Sequence, residues 1–498
     1  MDRSRPTAAA PAAVRSGRTS ALGGLLAVLR GWWPLAVLLP VCAVPFVHTL
    51  RLFFVNDDYT ELGGVVREPF LRFFWDSFIL RDTVPFWRPL ESILYEVNWQ
   101  LFGLNATGWR AWTLGMHLLN VMLLYWLVAR VSGSRVAGFL AAGLFGTSAA
   151  YGISGHSISS SQDVLGVTWT LAAVLALTWY TTDQPSAHRG RPYAATIAAY
   201  IIAMLCWESA TALGVVIAAV VFLRETPWRP QADRRGAAWR IALPLTLAAA
   251  SAIFNDIAQV QRTGMHLFYG LNRDIPRHFW WFLGRIALPL PDNGGRVVYL
   301  LRGVGAAVLL GSLLLTLWRG CLWARAFALW ALVAIAPFTL WKTITLDRWV
   351  YYACVPVFAL AGWGAWAAWR RLRSDAFGIA ARAAAVAGVA LAITLSATRI
   401  GPDNHVLFTE ARRWEPLVRG LQAYQGRVPP DAHVYLVNGI WTHPFDDVDL
   451  ASVAWVVFGP RAELRNATLQ AYRDAAARDP LAVGLGWTGS GFVELPRP

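Results

Sequence analysis

Two adjacent carboxylates, Asp57 and Asp58 in FFVNDDYTELGG, stand a few residues beyond the first long apolar run of the chain. Neighbouring anions repel, so a sequence that keeps them either solvates both on a loop or uses one as a proton acceptor. In the second case the other carboxylate orients the acceptor or raises its pKa. Asp163 in GHSISSSQDVLG follows a serine-rich loop that also carries His156. An acid at the start of a helix serves chemistry or caps the helix, and both readings stay open. Glu208 in CWESATAL lies between two apolar runs. A carboxylate there is costly unless it is paired or sits in a wet cavity. The cations of interest, Lys342 and Arg348, fall in WKTITLDRW, and Lys342 is the sole lysine among 44 basic residues.

These residues must be positioned by a largely apolar chain. Of 498 residues, 56% are hydrophobic and 15% charged. Soluble domains carry about 25% charged residues. With a mean hydropathy of +0.42, the composition is that of a polytopic membrane protein. The net charge of +14 comes from arginines at the ends of apolar runs, which is a topology signal and excludes a nucleic-acid reading. Cys42, Cys206, Cys321 and Cys354 lie in or beside apolar runs, so no structural disulfide is expected. Their spacing also lacks the pattern of a zinc site.

Residues 1–30 read as a disordered cytoplasmic tail. A span of about twenty residues follows, too long for a cleaved signal peptide. Further spans are expected near 109–130, 135–152, 164–181, 193–208, 210–223, 240–257, 298–317, 325–341, 350–369 and 380–398, about eleven in all. The region 193–223 is either one broken hairpin or two short spans. Arginines fall on alternate loops, which makes that side cytoplasmic. The loop 54–108, the loop 258–297 and the C-terminal piece then lie outside. The resulting fold class is an all-α polytopic membrane protein with a small C-terminal extracytoplasmic α/β domain. Residues 31–400 form the membrane part and 401–498 the domain. In the latter, EARRWEPLVRGLQAYQG reads as an amphipathic helix, and HVYLVNG, VAWVVFG and GFVELP read as strands. RHFWWFLGR has the aromatic and basic mix of an interfacial helix.

Three motifs are set aside. GLGWTG (Gly484–Gly489) matches a dinucleotide fingerprint but leaves only nine residues for the helix that should follow. DDVD (Asp446–Asp449) reads as a solvated loop, and the two Asn-Ala-Thr sequons at Asn105 and Asn466 as chance occurrences.

The run WRPL…LFGLN…GWR…HLLN in residues 87–120 resembles the GT-C glycosyltransferases that use polyprenyl-phosphate sugars. It is most similar to the O-mannosyltransferase type that carries tetratricopeptide repeats and to its bacterial relatives. The repeats themselves are missing here. The likeness covers roughly residues 50–365: NDDY stands where the family has its outer acidic pair, Asp163 where it has a second acid, and CWES keeps Glu208 but has Trp207 for a lysine. LDRWVYY places Asp347, Arg348, Trp349 and Tyr351 on a late Glu-Arg-Tyr-x-Tyr box. His117 and Asn120, at helical spacing, read as packing residues.

The resemblance implies a GT-C-like fold and transfer of a hexosyl or pentosyl group from a polyprenyl-phosphate donor to an extracytoplasmic hydroxyl on a glycan, lipid or protein. Asp57 then acts as general base, aided by Asp58 and Asp163. A base of this kind contributes about 10²–10⁴-fold. Arg348, Lys342 and Arg88 hold the donor phosphate, through a planar fork for arginine and a point charge for lysine. Lys342 reads equally well as a boundary anchor, and Arg88 as a tie to Glu91. Glu208, His156, Tyr351 and Asp347 are further site candidates. Residues alone demand no cofactor and show no metal-binding motif; a divalent metal stays open because some relatives use one. A single displacement would invert the anomeric carbon. The expected location is a bacterial plasma membrane with a cytoplasmic N-terminus. Rival readings are a lipid or glycan flippase and a non-catalytic envelope-assembly protein.

Overall fold

The computed structural model describes residues 33–55, 57–79, 87–152, 157–182, 189–225, 234–262, 270–290, 295–342, 347–372, 378–379, 388, 390–391, 393–400, 405–437, 446–488 and 491–497. The expected tail at 1–30 and most of the expected span at 380–398 lie outside the described residues.

Among the described residues, seven helices are long and apolar enough to cross a membrane. They are α1 (Trp33–Arg51), α5 (Ala106–Ser132), α7 (Ser161–Thr181, entered by a 3-10 turn at Ile158–Ser160), α10 (Arg234–Arg262), α12 (Gly295–Arg319), α13 (Leu322–Ile335, extended by Ala336–Leu340) and α14 (Tyr351–Arg371, preceded by Asp347–Val350). Three shorter apolar helices, α6 (Arg135–Gly146), α8 (Gly190–Cys206) and α9 (Leu213–Glu225), fill the other expected positions apart from 380–398. The chain is a polytopic membrane protein. The region 193–223 is two helices, α8 and α9, hinged by a 3-10 turn at Glu208–Ala212, so Glu208 sits at the turn and not within a span.

The first loop folds into α2 (Asp57–Arg67), α3 (Phe70–Phe78) and α4 (Pro89–Phe102). α3 buries none of its residues and exposes Leu71, Trp75 and Phe78. An apolar face of that kind suits a helix lying in the membrane surface. α11 (Ile275–Ala287) is amphipathic too, but it packs Phe282, Leu283 and Ile286 into the bundle core.

The C-terminal residues form a four-stranded sheet in the order β2-β1-β3-β4. β1 (His433–Val437) pairs in parallel with β2 (Glu463–Ala467) and β3 (Ala482–Trp487), and β4 (Phe492–Glu494) is antiparallel to β3. The parallel pairs require crossovers. These are the helices α16 (Asp446–Phe458) and α17 (Leu469–Ala476), and α15 (His405–Gln422) precedes β1. The expected strand at VAWVVFG is therefore the second half of α16. It is apolar on every side because it packs against both the sheet and α2. Val453, Ala454, Val456 and Val457 are all buried in one cluster with Leu62 of α2 and Leu464 of β2. Such a run carries no period by which helix and strand can be told apart.

That cluster also joins the C-terminal unit to the first loop. Tyr59 of α2 packs against Trp414 of α15 with ring centroids 4.8 Å apart. Gly63 faces Ser452 so closely that a Cβ on the glycine would lie 2.8 Å from the serine Oγ. Arg67 lies over the ring of Trp455. Hence α2, which bears the acidic pair, is wedged between the bundle and the sheet unit.

Candidate functional site

Asp57 and Asp58 open α2, where the unpaired N–H groups and the helix dipole favour negative charge. Their environments are opposite. Asp58 is fully buried and accepts from the backbone N–H of Val55 (3.0 Å) and of Ser159 (2.9 Å). The Arg110 guanidinium stands 3.5 Å away, also fully buried. Arg110 in turn donates to the carbonyls of Leu52 (3.0 Å) and Phe53 (2.7 Å). Burial pushes the Asp58 carboxyl above its ordinary range, against the pull of Arg110 and the two N–H donors. This knot ties the start of α2 to the entry of α7 and to α5.

Asp57 points the other way. Its side chain is 68% exposed, and Arg348 Nη1 lies 3.7 Å from its Oδ2. The acid after the first span and the arginine before α14 thus meet across 291 positions of sequence. Arg348 is held from behind by its own turn. Asp347 accepts from Arg285 Nη2 (3.2 Å), and the same arginine donates to the carbonyls of Ala149 and Ala150. Gly152, with φ +47°, lies where a Cβ would collide with Asp347 Oδ2 at 2.1 Å. Only a residue without a side chain fits that backbone and that approach.

Arg88 caps the first loop differently. It grips Glu208 with two nitrogens, at 2.5 and 2.8 Å, and stands 3.6 Å from Glu91. Asp163, in the first turn of α7, is buried within electrostatic reach of Arg88, Arg348 and Glu208. The centre therefore draws Asp57, Asp58, Asp163, Arg88, Glu208 and Arg348 together.

Other candidates fall elsewhere. Tyr351 is buried in the bundle, its hydroxyl bonded to His117 Nδ1 (2.9 Å) and Asn120 Nδ2 (3.1 Å), a packing contact between α5 and α14. Asp347 pairs with Arg285 and adjoins Arg348 in the same turn. His156 lies outside the described residues, and so do the side chains of Asp446–Asp449. Lys342 lines a different cleft, one to which neither Arg348 nor Asp57 contributes. Among the described residues, no three His, Cys, Asp or Glu side chains are placed to hold a metal ion.

No protein-family model matches the sequence, and no curated protein matches it either. Solved structures do. The chain is similar to ArnT from Cupriavidus metallidurans bound to undecaprenyl phosphate, at 15% identity and a TM-score of 0.48 over 94% of each chain. Its similarity to the apo form of the same protein has 16% identity and a TM-score of 0.48, over 93% of this chain and 94% of the other. The Archaeoglobus fulgidus oligosaccharyltransferase in the apo form matches at 13% identity and a TM-score of 0.49, covering 89% of this chain and 65% of its own.

One acid of the centre escapes a reading from the sequence, and a second, Glu91, was read only as a tie for Arg88. Glu61 follows Asp57 by one helical turn, so both lie on one face of α2. Desolvation and the charge of Glu91 hold its carboxyl well above the ordinary range, against Arg88, with Asp57 and Asp58 adding to the push. Glu91, in the first turn of α4, is buried beside Arg88. The i, i+4 spacing in DDYTE was the available signal for Glu61. Arg110 is the other omission: a lone arginine in the first turns of an apolar helix reads as a boundary charge until its partner Asp58 is in view.

Proposed function

We propose that this protein is a membrane glycosyltransferase that moves a sugar from a polyprenyl-phosphate donor to an acceptor hydroxyl at the extracytoplasmic face of a bacterial plasma membrane. The observation that carries the reading is the Asp57–Arg348 pair, an exposed carboxylate and a guanidinium 3.7 Å apart at one end of the bundle. The order of the motifs in residues 87–120 and the LDRW box supply the donor class.

In this reading the pair is the resting state. An exposed ion pair is worth only about 0–1 kcal/mol, so an incoming phosphate can take over the guanidinium at little cost. Asp57 is then released toward the acceptor. Its carboxylate accepts the hydroxyl proton as the acceptor oxygen bonds to the anomeric carbon. The bond from that carbon to the phosphate oxygen breaks, and its electron pair leaves with the polyprenyl phosphate. Arg348 holds the charge that develops there, the kind of stabilisation that matters most when a phosphate departs. Asp58 fixes the base through Arg110. Arg88, already shared by Glu208 and Glu91, clamps α4 to the 208–212 turn and contributes to the field at Asp163. The C-terminal unit, packed on α2, borders the acceptor side.

The test uses purified full-length protein, a short-chain polyprenyl-phosphate sugar and candidate glycan, lipid and peptide acceptors. Asp57→Asn should abolish transfer while donor binding persists, and the product should carry the inverted anomeric configuration. A retained configuration would overturn the single displacement. Unaltered transfer by Asp57→Asn would remove the base from its role.

A further inference from the structure

The later spans of the bundle leave a long opening between them. α13 packs against both α12 and α14, and between the facing sides of those two spans runs a groove of about 1010 Å³. Leu301, Val308 and Leu315 of α12 line one side, and Phe358, Ala361 and Trp363 of α14 the other. The two hydroxyl side chains in the wall are turned back on their own helix. Ser312 Oγ donates to the Val308 carbonyl and Thr316 Oγ1 to the Ser312 carbonyl, each at 2.7 Å. The wall is therefore apolar. It also faces outward: α12 buries only 17% of its most apolar stretch, and Val308 and Leu315 are more than half exposed.

One end of the groove is charged. Arg319, the last residue of α12, and Arg371, the last of α14, both line it, and among the described residues no carboxylate does. Arg319 lays its guanidinium over the Trp318 ring at 4.4 Å. Such a contact uses the face of the group and leaves its N–H edge for an anion. α14 starts from the turn that carries Arg348, so the arginine end lies a full span, about 30 Å, from the acidic centre. By the arginine pattern of the loops it is the cytoplasmic end.

Dimensions and charge together specify what fits. The tails of one leaflet occupy about 15 Å, half of the hydrocarbon core. From Leu301 to Arg319 the groove extends about 27 Å, more than one tail needs. Gly364 lines it two turns from Arg371, about 10 Å along α14, and a Cβ there would meet nothing within 4 Å. A basic pocket between spans at the cytoplasmic surface suits an anionic phospholipid head, and the apolar channel leading away from it suits an acyl tail. A second copy of the chain fits less well, because a two-fold contact within a membrane would set this arginine end against itself.

We propose that the groove binds one anionic phospholipid of the cytoplasmic leaflet. Arg319 and Arg371 hold its phosphate, and a tail lies along α14 past Gly364. This site is independent of the acidic centre and has the same chemistry whether or not that centre transfers a sugar.

Native mass spectrometry of the full-length protein in detergent tests it, with phosphatidylglycerol and the zwitterionic phosphatidylethanolamine as probes. Wild type should bind one phosphatidylglycerol per chain, and more tightly than phosphatidylethanolamine. Arg319→Gln combined with Arg371→Gln should weaken phosphatidylglycerol roughly tenfold or more, the loss expected for one or two charge-assisted hydrogen bonds. Gly364→Phe should weaken both lipids by filling the tail's path. Thermal unfolding checks each variant, and Gly364→Phe, which meets no protein atom, keeps the test open if the double variant folds poorly. Equal binding of the two lipids by wild type would reduce the groove to ordinary lipid contact and overturn the proposal. Phosphatidylglycerol binding that neither variant weakens would overturn it too, as would a dimer of the chain that Gly364→Phe splits. Displacement of bound phosphatidylglycerol by a polyprenyl monophosphate would give the groove to a different lipid and overturn it as well.

Discussion

Replacing Asp57 and Asp58 one at a time by asparagine separates chemistry from architecture, because the two neighbours occupy opposite surroundings. Asp57 is 68% exposed, and among the described residues its one close cation, Arg348, is 3.7 Å away. Loss of such a pair changes stability by about 0–1 kcal/mol, so Asp57→Asn should unfold much as wild type does. The same substitution removes the proposed base, and kcat should fall about 10²–10⁴-fold. Asp58 is fully buried, 3.5 Å from an equally buried Arg110. Removing one partner of a buried pair costs about 3–5 kcal/mol, since the other charge is left without compensation. An amide at that place would also turn an –NH₂ toward one of two backbone donors, Val55 N–H or Ser159 N–H. Asp58→Asn should therefore lower the unfolding temperature in detergent markedly, and transfer should fall in step with the folded fraction. Paired measurements of thermal unfolding and initial transfer rate on each variant decide the matter. Transfer by Asp57→Asn within about threefold of wild type, well short of the loss a general base implies, would refute the base assignment, whatever its stability. An Asp58→Asn protein as stable as wild type would mean that the native carboxyl is already protonated and that its contact with Arg110 is not ionic.

Three further outcomes follow from the geometry. Glu61 has a folded-state pKa raised by desolvation and by Glu91, so its contribution to stability is complete below the ordinary carboxylate pKa and is lost as pH rises through the raised value. Glu61→Gln does not titrate, and its advantage in unfolding temperature over wild type should grow as pH rises above the ordinary carboxylate range; a gap that shrinks with rising pH contradicts the assignment. Gly152→Ala puts a side chain at φ +47° and 2.1 Å from Asp347 Oδ2; the backbone term alone is roughly 1–2 kcal/mol. Displacing Asp347 should loosen the turn that presents Arg348, so donor KM should rise, and an unchanged KM would separate that turn from donor binding. Gly63→Val drives a side chain into Ser452; overpacking of this kind costs about 1–3 kcal/mol. Proteolysis should then release the C-terminal unit faster than in wild type, and equal rates would show that this contact does not hold the unit in place.

Much of the architecture was legible because a bilayer prints its demands on sequence. Apolar runs with arginines at their ends located the helices, as Arg130 and Arg135 do where α5 gives way to α6. The elements that went astray are those in which burial is not one-sided. VAWVVF lies between α2 and a sheet, so it is apolar throughout and its period is hidden. Within the site, Asp57, Asp163, Glu208 and Arg348 stood out as polar residues at the ends of apolar runs. Lys342 shows the limit of proximity along the chain. Although close to Arg348 in sequence, it is carried by the Ala336–Leu340 turn toward α11 and α12 instead. The tie of Arg88 to Glu91, three residues on, was legible; Glu61 and Arg110 went unread because their meaning lies in partners on other elements, which only the folded arrangement supplies.

The charges at the centre also bear on where a phosphate can enter. Six carboxyl groups, Asp57, Asp58, Glu61, Glu91, Asp163 and Glu208, surround three guanidiniums, Arg88, Arg110 and Arg348, among the described residues. Arg110 is sequestered with Asp58. Arg88 faces two acids at once, so its field is largely cancelled at the distances a ligand would approach. Glu61 is pushed toward its neutral form, which trims the excess of negative charge without removing it. Of the three cations, Arg348 alone faces an exposed carboxylate. A phosphate approaching from the Arg88 side would meet Glu91 and Glu208 as well as Asp163, whereas from the Arg348 side, also within reach of Asp163, the carboxylate it displaces is the solvated Asp57. In the proposed reaction, phosphate capture then falls to Arg348, and Arg88 serves as a clamp. Accordingly, Arg348→Gln should raise donor KM far more than Arg88→Gln does, while Arg88→Gln should chiefly lower stability.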